Sequence, residues 1–155
     1  MALLTSVRDM ESDERAAYTD GWLGILSAFA LVWGLLNLLG LCLAMTQDAY
    51  SLSRNFSPEQ VAYILDTPVW ARTCHAVSVV ALLIGAGYLQ MRRASAYGWL
   101  MVSLFAMLGL LLDGAVRGGF ELMVSITTGL NLGYMIVGVF LFWAVHSARA
   151  EGQLR

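Results

Sequence analysis

Six residues that could act together stand at the ends of apolar runs: Asp66, Arg72, His75, Asp113, Arg117 and Glu121. Asp113, Arg117 and Glu121 are spaced four apart, so a helix that continues through Gly114 stacks them as an acid–base–acid ladder on one face. An ionisable group in lipid is costly and needs a partner or a purpose. The chemistry available to this set is recognition of a small polar solute from the outer side. The plainer alternative is a salt-bridged helix end that neutralises its own charges at the headgroups. Deeper in the apolar runs stand two amides, Asn37 and Asn131. At 1.5 Å per residue, Asn37 lies about 22 Å from the inner end of its helix and Asn131 about 13 Å from the outer end of its own. Those depths nearly coincide, so an Asn37–Asn131 hydrogen bond is expected to join the first and last helices, worth about 0.6 kcal/mol, with a solute pathway through the two amides the alternative.

Other chemistries fail on residue type or place. His75 and His146 fall at opposite ends of the spans, and paired haem ligands must reach one iron from the same depth. Two scattered histidines also make a poor metal site, and no cofactor is expected. Cys42 and Cys74 lie at similar outer depths on consecutive helices. They fit either a disulfide on an oxidising side or two buried apolar thiols. GxSxG, HExxH, CxxC and a glycine-rich phosphate loop followed by lysine are all absent. The chain is not expected to be an enzyme, and no catalytic residue is assigned.

The elements that must position these residues follow from composition. The chain has 155 residues, 59% apolar and 13% charged, against roughly one half and one quarter for soluble domains. This excludes a water-soluble globule and a disordered chain. A net charge of −2 leaves no basic footprint for nucleic acid. Four stretches free of Asp, Glu and Arg are long enough to cross a hydrocarbon core of roughly 30 Å: 22–45, 73–91, 94–112 and 122–145. Runs such as Leu108-Gly109-Leu110-Leu111-Leu112 do not alternate, so these are helices and not barrel strands. The expected fold is an all-α polytopic membrane protein. An acidic tail, 1–21, leads into a four-helix transmembrane domain, 22–146, and a short tail, 147–155, follows. The first run is too long, and its flank too acidic, for a signal peptide.

Orientation comes from the arginines, since lysine is absent. Arg8, Arg15, Arg92, Arg93, Arg149 and Arg155 fall on one side, and Arg54, Arg72 and Arg117 on the other. The richer side is read as cytoplasmic and holds both termini.

Between the first two spans, 46–72 forms the one sizeable loop. Ser57-Pro58-Glu59-Gln60 has a good N-cap, a proline at the first helical position and a glutamine placed to close a capping box. Val61, Ile64 and Leu65 then share a face and Pro68 stops the run, which predicts a short amphipathic helix at the membrane surface or across the bundle end. Trp70 follows as an interfacial anchor. Arg92-Arg93 is a tight inner turn. The Gly129–Gly133 GxxxG and the pair Gly85 and Gly87 are expected to let backbones approach, chiefly within the chain, with homodimerisation the other use.

The punctuation of the chain resembles a family of small, uncharacterised bacterial inner-membrane proteins with four helices. The residues that carry the likeness are Phe56-Ser57-Pro58-Glu59-Gln60-Val61-Ala62-Tyr63 with Thr67-Pro68-Val69-Trp70, then Met91-Arg92-Arg93-Ala94-Ser95-Ala96 and Trp143-Ala144. It covers roughly residues 22 to 150. The resemblance implies an outer loop with a short helix ending in Pro-x-Trp, a basic inner turn and an inner-membrane location. Some members carry a sugar-transporter label, and no site residues come with the likeness. The expected function is a non-enzymatic accessory or scaffold subunit that docks in the lipid bilayer on a larger membrane complex. The alternative is a small-solute transporter or binding protein, as a homo-oligomer, using the outer polar cluster.

Overall fold

The computed structural model describes the backbone of residues 2–122 and 127–155 and the side chains of residues 21–120 and 132–155. All regular structure among them is helical: α1 (Ala2–Thr46), α2 (Ala49–Leu52), α3 (Pro58–Leu65), α4 (Val69–Gln90), α5 (Ser95–Val116), α6 (Gly119–Leu122) and α7 (Thr127–Ala150). Four helices are long and apolar enough to cross a membrane, over Gly21–Thr46, Val69–Gln90, Ser95–Val116 and Leu132–Ala150. The protein is a four-helix membrane bundle.

The helices overrun the apolar stretches that mark them. α1 begins at Ala2, so residues 2–20 of the acidic segment are helical and run without a break into the spanning stretch Gly21–Thr46. No glycine or proline interrupts the chain before Gly21, and Ala, Leu, Met, Arg and Glu there favour helix. Its 45 residues extend about 67 Å at 1.5 Å per residue. α4 starts directly after Pro68, which brings Arg72 into its first turn. α5 continues through Gly114 to Val116.

Packing follows chain order. α4 lies against α5, α1 against α4 and α7 against α5. α1 also meets α7 through aromatic rings, with Trp33 stacked on Tyr134 at 6.3 Å. Small residues set the crossings. A methyl on Gly34 would lie 2.7 Å from Leu83, and one on Gly85 would lie 3.0 Å from Leu100. Gly109 meets the Cys74 sulfur. Gly133 and Gly87 face open space, so the close approaches expected of them are made elsewhere; the side-chain environment of Gly129 lies outside the described residues. Leu82, Ala86, Leu100, Met107, Leu141 and Val145 belong to the core these contacts enclose. Both cysteines are free; Cys42 is exposed and Cys74 half-buried, so neither the bridge nor a pair of buried thiols forms.

At the Arg92–Arg93 end, Ser27 of α1 donates to the Gln90 side chain. α4 closes with Arg92 in the left-handed region, at φ 54°. α7 closes at Gly152, φ 71°, with Gln153 N–H bonded to the Ala148 carbonyl at 2.9 Å. The chain then folds back. Arg155 donates to the Arg92 carbonyl at 2.8 Å and accepts from Ala94 N–H at 2.7 Å.

Candidate functional site

α3 is built as the local signals require. Ser57 accepts from the Gln60 N–H at 3.3 Å, and the Gln60 side chain accepts from the Ser57 N–H at 3.0 Å. α2 before it is closed by a second reciprocal pair, Asp48 with Ser51. Those bonds to Ser51 hold the Asp48 carboxyl below its ordinary value.

The other end of α3 is where charges from two spanning helices converge. A helix C-terminus leaves carbonyls without intrahelical donors and carries partial negative charge. Arg117, the residue after α5, donates to the Tyr63 carbonyl at 2.6 Å. Arg72, in the first turn of α4, donates to the Leu65 carbonyl at 2.8 Å. Thr67 adds a hydroxyl to the Ile64 carbonyl at 2.8 Å. Two arginines from two spanning helices thus cap one surface helix and hold it across the bundle end.

Arg117 makes two further contacts. It pairs with Asp113 at 3.3 Å, the i,i+4 rung expected on α5. Its guanidinium also lies over the Tyr63 ring, 4.2 Å from the centroid. Asp113 is buried, and its Oδ1 has no hydrogen-bond partner. Tyr63 seats its phenol on Gly119, leaving no room there for a side chain. Burial raises the Tyr63 hydroxyl above its ordinary value, and the Arg117 charge partly offsets this.

Of the six residues read from the sequence, the structure joins Asp113 to Arg117 and brings Arg72 to the same short helix. Asp66 caps α3 with its main chain and leaves its side chain exposed. His75 is half-buried on α4. Gly118, at φ 68°, ends the α5 path, so Glu121 belongs to α6 and is not a third rung of one helix. The Glu121 side chain lies outside the described residues, as does that of Asn131. Asn37 donates its amide to the Trp33 carbonyl of its own helix at 2.8 Å.

Sequence reasoning passed over two features. Tyr63 carried no charge to flag it. In the core, Ser103 donates to the Ser78 carbonyl at 2.8 Å, and the Ser78 hydroxyl bonds that of Tyr134 at 3.0 Å. This chain of bonds ties α4, α5 and α7 together. Serines inside apolar runs signal such a knot only by their rarity. Beside it lies a cavity of about 10 Å³ bordered by Trp33, Ser103 and Tyr134. No three His, Cys, Asp or Glu side chains converge as metal ligands among the described residues.

No family model, curated protein or solved structure matches this chain. The reading of its function therefore rests on its own geometry.

Proposed function

We propose that this protein is a non-enzymatic accessory or scaffold subunit, docking laterally on a larger membrane complex. The observation that carries this reading is the outer half of α1. Beyond Gly34 no residue of that helix is buried, and Leu36, Leu39, Leu43 and Met45 are each more than half exposed. Lipid supplies no hydrophobic force to press a bare helix onto its neighbours, so packing against a partner must hold it. The polar groups support the same reading, because Arg72 and Arg117 are engaged in holding α3 in place. The arginine distribution and the resemblance favour a bacterial inner membrane with both termini cytoplasmic. Photo-crosslinking residues at Leu36, Leu39 and Leu43 test the proposal, with the buried Leu141 as control. A discrete adduct with another membrane protein, retained through purification in mild detergent, is the expected result. A chain that crosslinks only to lipid and always purifies alone would overturn it.

A second reading is favoured by an unmatched buried acceptor within this cluster, Asp113 Oδ1. In it the outer cluster binds a small polar solute and Arg117 moves to admit it. Thermal-shift assays with sugars and other polar solutes test this; no response from any class rejects it.

A further inference from the structure

Two contacts fix how far α1 outruns its neighbours at the Arg92–Arg93 end. The Ser27–Gln90 hydrogen bond sets Ser27 level with the last residue of α4, and α5 begins just after the turn that follows. The Trp33–Tyr134 stack levels those two residues on α1 and α7. α7 continues from Tyr134 to Ala150, about 24 Å, which on the antiparallel α1 reaches about as far as Ala17. The tail after α7 folds back to Arg92 and Ala94 and does not follow α1 outward. α1 goes on to Ala2, so its first turns extend about 22 Å past the ends of its neighbours.

What this arm presents follows from helical register. Leu3, Val7, Met10 and Ala17 recur at intervals of four, three and seven and share one face, the spacing of a coiled-coil seam. Glu14 takes the seam position between Met10 and Ala17. Glu11, Asp13 and Asp20 take positions that flank the seam, while Arg8 and Arg15 fall on the other side of the helix. The seam and its flanks thus carry four acids and no base. About fifteen residues of helix in water are marginal unless an apolar face is packed. No described helix of this chain reaches far enough to pack it.

We propose that residues 2–20 are a docking arm for a basic amphipathic helix of a partner protein. That helix buries Leu3, Val7 and Met10 and sets lysine or arginine against Glu11, Asp13 and Glu14. Charge complementarity selects this occupant. Two copies in one membrane would bring their arms out parallel, with Glu14 opposite Glu14, and like charges in a seam repel. Helices that lie on a lipid surface carry lysine and arginine around the apolar face, the reverse of this pattern. The inference rests on the accessory reading and adds a contact outside the membrane to the one along the outer half of α1.

The test places photo-crosslinking residues in the full chain at Val7 and Met10 on the seam, at Arg8 and Arg15 on the other side, and at Leu39 in the membrane. Adducts are formed in cells, and mass spectrometry of each adduct reads the partner segment attached. Strong adducts from Val7 and Met10, weak ones from Arg8 and Arg15, and a segment rich in lysine or arginine are expected. Glu11→Lys with Glu14→Lys keeps good helix formers but reverses the charge, and should lower the Val7 adduct at least about tenfold. Arg8→Gln with Arg15→Gln should leave that adduct unchanged. An adduct with a second copy of this chain, with lipid, or with an acidic or uncharged segment would overturn the inference. So would a yield indifferent to the seam charges. Adducts from Leu39 with none from Val7 or Met10 would overturn it and leave the accessory reading standing; none from any position would remove both.

Discussion

The guanidinium of Arg117 lies over the ring of Tyr63 while donating to that residue's own carbonyl, 4.2 Å from the ring centroid and 2.6 Å from the oxygen. One residue of the surface helix α3 therefore meets Arg117 twice, once through its side chain and once through its backbone. Asp113 holds the arginine from behind. The consequence is that α3 and the end of α5 should be lost or kept together.

The ring contact should be separable from the backbone contact. Tyr63→Phe keeps the π-face and is expected to change stability by under about 0.5 kcal/mol, whereas Tyr63→Leu should cost about 1 kcal/mol or more. Thermal unfolding in one detergent distinguishes the two; equal losses would mean that the ring contributes only bulk.

Gly119→Ala should be destabilising by about 1–3 kcal/mol, because the added methyl overlaps the Tyr63 phenol. Combining it with Tyr63→Leu should recover part of that loss. A double-mutant cycle with no coupling would show that the phenol is free to swing away.

Removing Arg117 strands a buried carboxylate. Arg117→Ala should therefore lower the unfolding midpoint more than Asp113→Asn combined with Arg117→Ala. Breaking one member of a buried pair costs about 3–5 kcal/mol, whereas removing both can be nearly neutral. Identical midpoints would place the pair in open water.

Alkaline pH should loosen the same contact. The Tyr63 hydroxyl is raised in the folded state from its ordinary value of 10.0. The unfolded chain therefore releases this proton first as pH rises. The stabilisation is complete below pH 10.0 and is lost as pH climbs through the higher folded value. Tyr63→Phe should flatten the stability profile above pH 10.0; an unchanged slope would assign it to other tyrosines.

Topology is tested with reporter fusions. Fusions after Met91 should read cytoplasmic and fusions near Asn55 periplasmic. The reverse pattern would invert the arginine argument.

The sequence by itself determined what depends on fixed local period. Apolar length marked the four spans, Ser57 and Gln60 marked the start of α3, and the spacing of Asp113 and Arg117 marked their pairing on one helix. Helix geometry repeats every 3.6 residues, so neighbours at three or four positions can be read directly. The spacing of Glu121 was misleading for the same reason. The period holds only while the helix continues, and Gly118 turns the chain. Tertiary structure alone decided which faces meet. Tyr63 reaches Arg117 across 54 residues, and Ser78 reaches Tyr134 across 56. Both contacts depend on how each helix is rotated about its axis. That rotation is set where Gly34, Gly85 and Gly109 let a neighbouring side chain close in. Gly87 and Gly133 look no different in one dimension, and nothing local distinguishes the glycine that will be crossed from the one left facing outward.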